Sequence, residues 1–219
     1  CNNNPVMYYD PSGYGLQEYL DVLAAWEDSI IEYWEKGFYS TYKERLQQTP
    51  AGQYKKTGKI KGYWEGVRGE SLYKCFDYSD EAIKANQVLS QYGQKGITYS
   101  NGVPDFQPVS EAVVSIGNMV SDRYKKDGNF KQADIALAEY LNENPNCELY
   151  ERIGCNGTVT WEDVKAYRDA NDLTWHEEID GKHMDLVSEY VNHTYGHLGG
   201  VGEQKRKENG IEYNVEEEC

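Results

Sequence analysis

All four histidines of this 219-residue chain lie in one short segment near its end, between Leu173 and Gly200. His193 and His197 are four residues apart, so on a helix their imidazole rings would project from the same face. Two neutral imidazoles at that spacing can bind one divalent metal ion, and a third polar group can complete the site. His176 precedes the pair, separated from it by a segment that can fold back on itself. The arrangement predicts metal-assisted hydrolysis, in which a histidine activates water.

Local signals predict the elements that would position these histidines. The segments 173–176 and 183–187 are short and flank an Asp-Gly pair at 180–181, which is a favoured two-residue hairpin turn. Ser188 then predicts the start of a helix that carries the two spaced histidines and ends at the glycine pair 199–200. A hairpin followed by a helix is therefore the predicted frame of the site.

Elsewhere the sequence pattern predicts a mixture of further elements. Helices are expected over 80–92 and 129–141, and another should begin at Thr160, with Asp163 completing a capping box. An Asn-Gly pair at 101–102 predicts a second hairpin. This mixture of short strands and helices predicts an α+β fold.

The histidine-rich segment resembles the nuclease motif of the HNH/endonuclease VII superfamily, in the subgroup with a Trp-His-His core. Blocks at 62–71, 96–106 and 129–138 are similar to other parts of the same toxin nucleases, so the resemblance extends from about Lys59 to Lys205. It implies a ββα-metal fold, a divalent metal ion and hydrolysis of a phosphodiester bond. The motif residues, in order, are Thr174, Trp175, His176, Glu177, Met184, Leu186, Val187, His193, His197, Gly199 and Gly200.

The resemblance and the chemistry together assign roles to these residues. His176 is the proposed general base, because imidazole titrates near neutral pH. His193 and His197 would hold one Mg²⁺, Mn²⁺ or Zn²⁺ ion. Glu177 occupies the position at which many relatives have a second histidine, so it is expected either to bind the metal or to orient the base. Asp185 could orient a histidine from outside the set of ligands.

Other residues are interpreted as structural, or two interpretations stay open. Trp175 is expected to pack beneath the hairpin and His183 to be structural, while Glu178 is assigned to the solvated surface. Asp105 and Glu70 either line the cleft or stabilise structural turns. The His-x-Glu pattern of the segment also occurs in zinc deaminases, but the Pro-Cys-x-x-Cys sequence that those enzymes need does not follow it.

A second resemblance lies at the N-terminal end of the chain. Residues 1–15, CNNNPVMYYDPSGYG, are similar to the sequence that closes the core of an Rhs/YD-repeat protein, after which variable toxin domains follow. A helical rhythm continues from Leu16 to Leu46. The predicted organisation is a junction over 1–15, a helical arm and linker over 16–58, and a nuclease domain over 59–219 with its ββα-metal motif at about 172–200.

Composition restricts the functions that this chain can have. No run of about 18 apolar residues is present, so no membrane-spanning helix is predicted, and the five cysteines are interpreted as mostly reduced. The formal net charge of −15 is unfavourable for a nuclease, because neutralisation of phosphates supplies much of the affinity for nucleic acid. Binding would then depend on a local basic patch, for which the candidates are Lys55, Lys56, Lys59, Lys61, Arg123, Lys125, Lys126, Lys205, Arg206 and Lys207.

These observations predict a metal-dependent endonuclease toxin that hydrolyses DNA in the cytoplasm of a competing bacterial cell. The N-terminal sequence has no signal-peptide pattern, so delivery is expected to depend on a larger parent toxin, with the Rhs/YD-repeat cage as a partner. The resemblance also implies a cognate immunity protein that protects the producing cell. Two alternatives stay open: a ribonuclease that uses the same site, and a non-catalytic binding domain that a metal ion stabilises.

Overall fold

The computed structural model describes residues 40–51, 60–154 and 157–209, and the predicted junction, most of the arm and the lysines at 55, 56 and 59 lie outside these ranges. The presence of both helices and antiparallel strands confirms the predicted α+β class. No helix in the described ranges is long and apolar enough to cross a membrane. In chain order, the elements are α1 (Tyr42–Gln48), β1 (Gly62–Trp64), β2 (Leu72–Cys75), α2 (Asp80–Gln91), β3 (Ile97–Ser100), β4 (Val103–Pro104), a 3-10 turn (Gln107–Val109), β5 (Ala112–Ser115), α3 (Asn129–Glu143), α4 (Glu148–Ile153), α5 (Trp161–Ala170), β6 (Leu173–Glu177), β7 (His183–Ser188), α6 (Glu189–Thr194) and α7 (Gly200–Glu208).

Two antiparallel sheets form the frame of the protein. The first sheet has the strand order β1-β2-β3-β4, and the second has the order β5-β7-β6. In the second sheet, β6 and β7 form the predicted hairpin, and its register pairs His176 with Asp185 and Trp175 with Leu186. Gly181 has a φ of 74° in the connecting turn. This positive value explains why the turn requires a glycine there.

The second sheet has a different environment on each face. Trp175 and Leu186 face an apolar core that the sheet forms with α3, α4 and α5. Because side chains alternate along a strand, His176 and Asp185 lie on the opposite face. The ring of Phe106 packs against His176 there, and Phe106 itself belongs to a second apolar cluster formed with the first sheet, α2 and α6. The candidate site therefore lies between two cores.

Trp175 fixes β6 to the helical layer behind it. Its indole Nε1 donates a hydrogen bond of 2.7 Å to Asp134, and the Arg168 guanidinium contacts the same carboxylate at 3.3 Å. All three side chains are buried. The predicted packing role of Trp175 is confirmed, and the contact holds the backbone of β6 from the side opposite to His176.

Two predicted helices begin where their capping residues indicate. The Ser79 side chain accepts a hydrogen bond from the backbone N–H of Ala82 at the start of α2. Thr160 and Asp163 form the predicted capping box at the start of α5. These interactions span only a few residues, which is why sequence alone can predict them.

The prediction that one helix carries both His193 and His197 is wrong. α6 ends at Thr194, and Tyr195 has a non-helical φ of −97° and ψ of 86°. The Tyr195 ring is fully buried in the second apolar cluster, and this packing turns the chain out of the helix. The glycine pair was expected to end that helix, but Gly199 instead caps the start of α7.

The described part of the arm docks on the β3–β4 turn and on α7. Asn101 has a φ of 52° and Gly102 a φ of 75°, which confirms the predicted Asn-Gly hairpin. The Arg45 Nε–H donates to the Asn101 carbonyl at 2.8 Å. The buried carboxylate of Glu203 in α7 accepts a hydrogen bond of 3.1 Å from the Ser40 backbone N–H. α1 is thereby tied to elements that are distant in sequence.

Replacing Gly102 by alanine is expected to destabilise the protein by about 2 kcal/mol, because left-handed backbone costs an L-residue about 1–2 kcal/mol. The added Cβ would also lie 3.0 Å from the Cβ of Arg45 in α1. Gly93→Ala is the matched control, since Gly93 has a φ of 69° but no described atom within 4 Å of an added Cβ. Urea unfolding should show the larger loss for Gly102→Ala. Equal losses would contradict the close packing of α1 on this turn.

Candidate active site

His176 is the centre of a group of polar side chains on the face of β6 and β7 that looks away from the helical core. Its imidazole and the carboxylates of Glu178 and Asp185 each offer one ligand atom, and these three atoms lie within 4.8 Å of one another. The strand register places His176 beside Asp185, and Glu178 follows two residues later on the same side. The hairpin alone therefore brings the three groups together.

The polar atoms of this group lack the hydrogen bonds that buried atoms usually have. His176 Nε2 and both carboxylate oxygens of Asp185 are buried and form no hydrogen bond of normal geometry with the described residues. A buried polar group without a partner costs about 1–3 kcal/mol, so such a set is seldom retained without a function. Imidazole nitrogen and carboxylate oxygen are common donors to divalent cations. The residues present therefore fit a metal ion.

Burial and mutual repulsion raise the pKa values of the acids in this group. Desolvation raises the pKa of Asp185 to about 7, and the negative charges of Asp105 and Asp180 act in the same direction. Desolvation, followed by the charge of Asp185, raises the pKa of Glu178 well above its usual range. Burial also raises the pKa of Asp105. A nearby positive charge would favour the ionised forms again.

The environment keeps two histidines of the site neutral. Desolvation lowers the pKa of His176 well below its ordinary value, and the neighbouring His197 lowers it further. Desolvation also lowers the pKa of His197. The two rings meet edge to face with their centroids 4.5 Å apart, and Phe106 packs against both. A neutral imidazole retains a lone pair that can bind a metal ion or accept a proton.

The two rings differ in access and in orientation. His176 is only 3% exposed, whereas His197 is half-buried. His197 Nδ1 lies 2.8 Å from the carbonyl oxygen of Tyr195. Because a carbonyl only accepts, Nδ1 carries the proton and Nε2 carries the lone pair. His197 is therefore the ring better suited to exchange a proton with a water molecule.

Two residues that the sequence assigned to the metal site do not join this group. His193 lies on α6 with its side chain 53% exposed, and its Nδ1 is 3.4 Å from a carboxylate oxygen of Glu81. Glu177 is buried, pairs with Arg123 at 2.8 Å, and accepts a hydrogen bond of 3.2 Å from Asn129. Successive residues of β6 alternate between faces, so Glu177 turns away from the group.

Sequence reasoning missed two members of the site. Glu178 was assigned to the solvated surface, although strand alternation from His176 could have placed it on the same face. Asn192 of α6 lies beside His176, where its side chain acts to raise the pKa of the imidazole, and Asn192 Oδ1 is buried without a partner of normal geometry. No sequence signal identifies Asn192, because the rotation of α6 about its axis depends on how the helix packs.

Asp105 and Glu70, whose interpretations were open, and His183, which was predicted to be structural, have defined places in the structure. Asp105 is close enough for its charge to act on Asp185, which agrees with a position at the cleft. The Glu70 carboxylate accepts a hydrogen bond of 3.0 Å from the Asn101 backbone N–H, which agrees with a structural turn role. His183 pairs with the side chain of Asp180 inside the hairpin turn. This contact agrees with the structural role predicted for His183.

Replacing Glu177 by glutamine distinguishes its two interpretations. As the partner of Arg123, Glu177 is expected to contribute about 1 kcal/mol to the free energy of unfolding and nothing to metal binding. The Glu177→Gln variant should then keep the increase in Tm that excess Mn²⁺ gives the wild type relative to EDTA. Glu178→Gln is the matched control and should lose that increase. If Mn²⁺ no longer raises the Tm of Glu177→Gln, the interpretation of Glu177 as a metal ligand is supported instead.

A comparison with protein families covers the part of the chain that holds this group. A family model described as the DNase/tRNase domain of colicin-like bacteriocin matches residues 96–199. The matched stretch begins just before β3 and includes the complete β6–β7 hairpin, α6 and His197. The match supports a bacteriocin-type nuclease toxin domain, with nucleic acid as its substrate. No curated protein and no solved structure gives a significant match to the chain.

Proposed function

We propose that this protein is a metal-dependent endonuclease toxin that hydrolyses DNA phosphodiester bonds in a competing bacterial cell. One observation carries the proposal: the ligand atoms of His176, Glu178 and Asp185 are grouped within 4.8 Å, and several are buried without hydrogen bonds. The group lies inside the stretch that matches a nuclease family. Buried polar atoms without hydrogen bonds are seldom retained in a purely structural core.

The three grouped side chains are the proposed ligands of one Mg²⁺, Mn²⁺ or Zn²⁺ ion. When bound, the ion would stabilise negative charge on the reacting phosphate and increase the acidity of water. His176 offers one ring nitrogen within 4.8 Å of the ligand oxygens of Glu178 and Asp185, and desolvation keeps its ring neutral and able to donate a lone pair. The low pKa of His176 thus favours a ligand role over proton exchange with solvent.

His197 is the proposed general base. Its Nδ1–H is held by the Tyr195 carbonyl, so Nε2 is the atom that can accept a proton from the attacking water. Phe106 packs against both histidine rings and holds them edge to face against its own ring. This assignment exchanges the roles that the sequence suggested for His176 and His197, and it leaves His193 and Glu177 outside the chemistry.

The biological setting is part of the same proposal. The junction-like sequence at 1–15 supports a parent Rhs/YD-repeat toxin that delivers the chain, with an arm over 16–58 and the nuclease domain over 59–219. The bacteriocin-type family match supports action in the cytoplasm of the target cell. A cognate immunity protein would then protect the cell that makes the toxin.

The direct test is incubation of the purified protein with supercoiled plasmid and, separately, with total RNA. Each substrate is tested with Mg²⁺, Mn²⁺, Zn²⁺ or EDTA, and the His197→Ala variant serves as the control. Plasmid cleavage that requires a metal ion and disappears in the variant is the expected result. If a metal ion stabilises the protein against unfolding but neither nucleic acid is cleaved, the non-catalytic binding domain is favoured instead.

A ribonuclease is the second candidate, because the matching family is described by both DNase and tRNase activities. The same site would then act on RNA, where the 2′-hydroxyl is an alternative nucleophile. Cleavage of total RNA with intact plasmid would select this candidate. The ligands and the base would keep the roles proposed above.

A further inference from the structure

A basic loop with an exposed aromatic ring lies beside the candidate site. We call residues 121–128, between β5 and α3, the docking loop. It contains Arg123, Lys125 and Lys126, and both lysines are exposed. Tyr124 is 81% exposed, the highest value among the exposed large apolar side chains of the described residues. The ring centroid of Tyr124 lies 6.2 Å from that of Phe130, and at 81% exposure most of the Tyr124 ring is open to a binding partner.

The docking loop is anchored on both sides. The fully buried Asn129 at the start of α3 exchanges two hydrogen bonds of 2.9 Å with the backbone of Val120. Within the loop, the Gly128 N–H donates to the Lys125 carbonyl at 2.9 Å. The Ser121 side chain bonds to Glu208 of α7. The exposed side chains are therefore presented from a defined backbone.

Arg123 connects the docking loop to the catalytic strand. Its guanidinium lies 2.8 Å from the carboxylate of Glu177, which directly follows His176 in β6. The positive charge of Arg123 also lowers the pKa of both His176 and His197, so the loop lies within electrostatic range of the site. The Arg123 side chain remains 32% exposed and can still meet an anionic substrate.

The charge of the docking loop contrasts with the rest of the molecule. The chain carries a net charge of −15, whereas the docking loop carries three cations and two carboxylates, Asp122 and Asp127, and so has a net charge of +1. Lys205 and Lys207 lie near the end of α7, whose Glu208 contacts the loop. A phosphate chain approaching the acidic site would be attracted first by this surface. Phosphate contacts by Lys125 and Lys126 would leave the ring of Tyr124 next to the bases.

We propose that the docking loop makes this protein bind single-stranded nucleic acid more tightly than duplex, with Lys125 and Lys126 binding phosphates and the ring of Tyr124 stacking on an unpaired base. The proposal rests on the nuclease function proposed above. Stacking requires an exposed base face, which a single strand offers and a duplex covers. Stacking tolerates any base, so the loop would give strand selectivity with little sequence preference.

The test is the binding of a short oligodeoxynucleotide that contains 2-aminopurine, with Mn²⁺ and in a His197→Ala background that prevents cleavage. Tyr124→Ala should weaken binding of the single strand by about 5-fold or more, the lower end expected for one stacked base. Tyr124→Phe keeps the ring and should bind nearly as the parent does. Binding of a duplex of the same sequence should be weaker and should not change in Tyr124→Ala.

The two lysines have a separate measurement. The double variant Lys125→Ala/Lys126→Ala should reduce the slope of log K against log salt concentration by about 1.4, since each single-strand phosphate contact contributes about 0.7. Lys95→Ala removes an exposed lysine before β3 and is the control for a general change of charge. It should leave the slope nearly unchanged.

The proposal would be overturned by three outcomes: unchanged single-strand binding in Tyr124→Ala, equal losses in Tyr124→Ala and Tyr124→Phe, or a preference for duplex. Hydrolysis of bis(p-nitrophenyl) phosphate by the wild type with Mn²⁺ tests the nuclease chemistry alone, because this diester has one phosphate and no base. If the protein hydrolyses this diester but the binding experiments give one of the three outcomes above, only the proposed role of the docking loop is rejected. If the protein hydrolyses neither this diester nor nucleic acid, the proposed nuclease function is rejected.

Discussion

His176→Ala is expected to lower the rate of nucleic-acid cleavage by at least about 100-fold, the lower end for loss of one acid–base or metal-binding group. His193→Ala is expected to leave the rate nearly unchanged. His176 is buried beside Glu178 and Asp185, whereas the His193 side chain is 53% exposed and lies beside Glu81. Both substitutions remove a histidine side chain from the segment formed by β6, β7 and α6. A difference in rate between the two variants therefore reflects the position of the histidine and not its residue type.

The measurement is the initial rate of plasmid or RNA cleavage with Mn²⁺, with urea unfolding to confirm that each variant is folded. His197→Ala should be as impaired as His176→Ala because its ring is in contact with that of His176. His176→Ala should also lose the metal-induced rise in Tm, whereas His197→Ala should keep it, because His197 is proposed as a base and not as a ligand. A large effect of His193→Ala would support the sequence-based ligand pair against the structure, since both assignments expect a large effect of His176→Ala.

Asp185→Asn is expected to abolish metal-dependent activity and, at the same time, to stabilise the metal-free protein. The carboxylate of Asp185 is fully buried, forms no hydrogen bond of normal geometry and faces other acids. An amide of the same shape removes the charge and can donate to the Glu178 carboxylate. We expect an increase of about 1–3 kcal/mol in the free energy of unfolding at pH 8 in EDTA, the range for relieving a buried unpaired group.

The increase in the free energy of unfolding that Asp185→Asn gives should become larger as the pH rises. Folding raises the pKa of this carboxyl from an ordinary value of 3.8 to about 7. The folded protein therefore binds this proton more tightly than the unfolded chain does. The stability that the protonated group contributes is fully present below about pH 4 and is lost as pH rises through about 7. The difference in the free energy of unfolding between variant and wild type should grow from about pH 4 to about pH 7 and level off at higher pH.

Urea unfolding in EDTA at several pH values between 5 and 8 measures this difference. His176 and His197 contribute the opposite dependence of the free energy of unfolding on pH. Because both proteins contain these residues, that contribution cancels in the difference between variant and wild type. Excess Mn²⁺ should stabilise the wild type and not the variant, because Asp185 is a proposed ligand. An equal difference at all pH values, or a retained metal effect, would contradict the role given to Asp185.

The net charge shows how a quantity read from sequence can mislead. A value of −15 argues against a nucleic-acid enzyme when the charge is treated as a single sum. In the structure, Glu178 and Asp185 are gathered on one sheet face, where a cation would offset them, while Lys125 and Lys126 project from a separate loop. The distribution of charge, and not its total, determines what can approach the site.

Sequence alone determined the features that depend on neighbours within a few residues. The Asp-Gly and Asn-Gly pairs predicted two hairpin turns, in which Gly181, Asn101 and Gly102 adopt the positive φ angles that favour glycine and asparagine. Thr160 and Asp163 specified a helix start through hydrogen bonds three residues apart. The β6–β7 hairpin in turn placed His176 opposite Asp185, so the centre of the candidate site was within reach of sequence reasoning.

Only the tertiary structure decided which other side chains meet there. Burial of Tyr195 ended α6 before His197, so that His193 stayed at the surface while Asn192 came to lie beside His176. The pairing of Glu177 with Arg123 joins segments that are far apart in the chain. The physical reason is the same in both cases: helix rotation and long-range ion pairs are set by the packing of distant elements, and a local pattern of residues does not contain that packing.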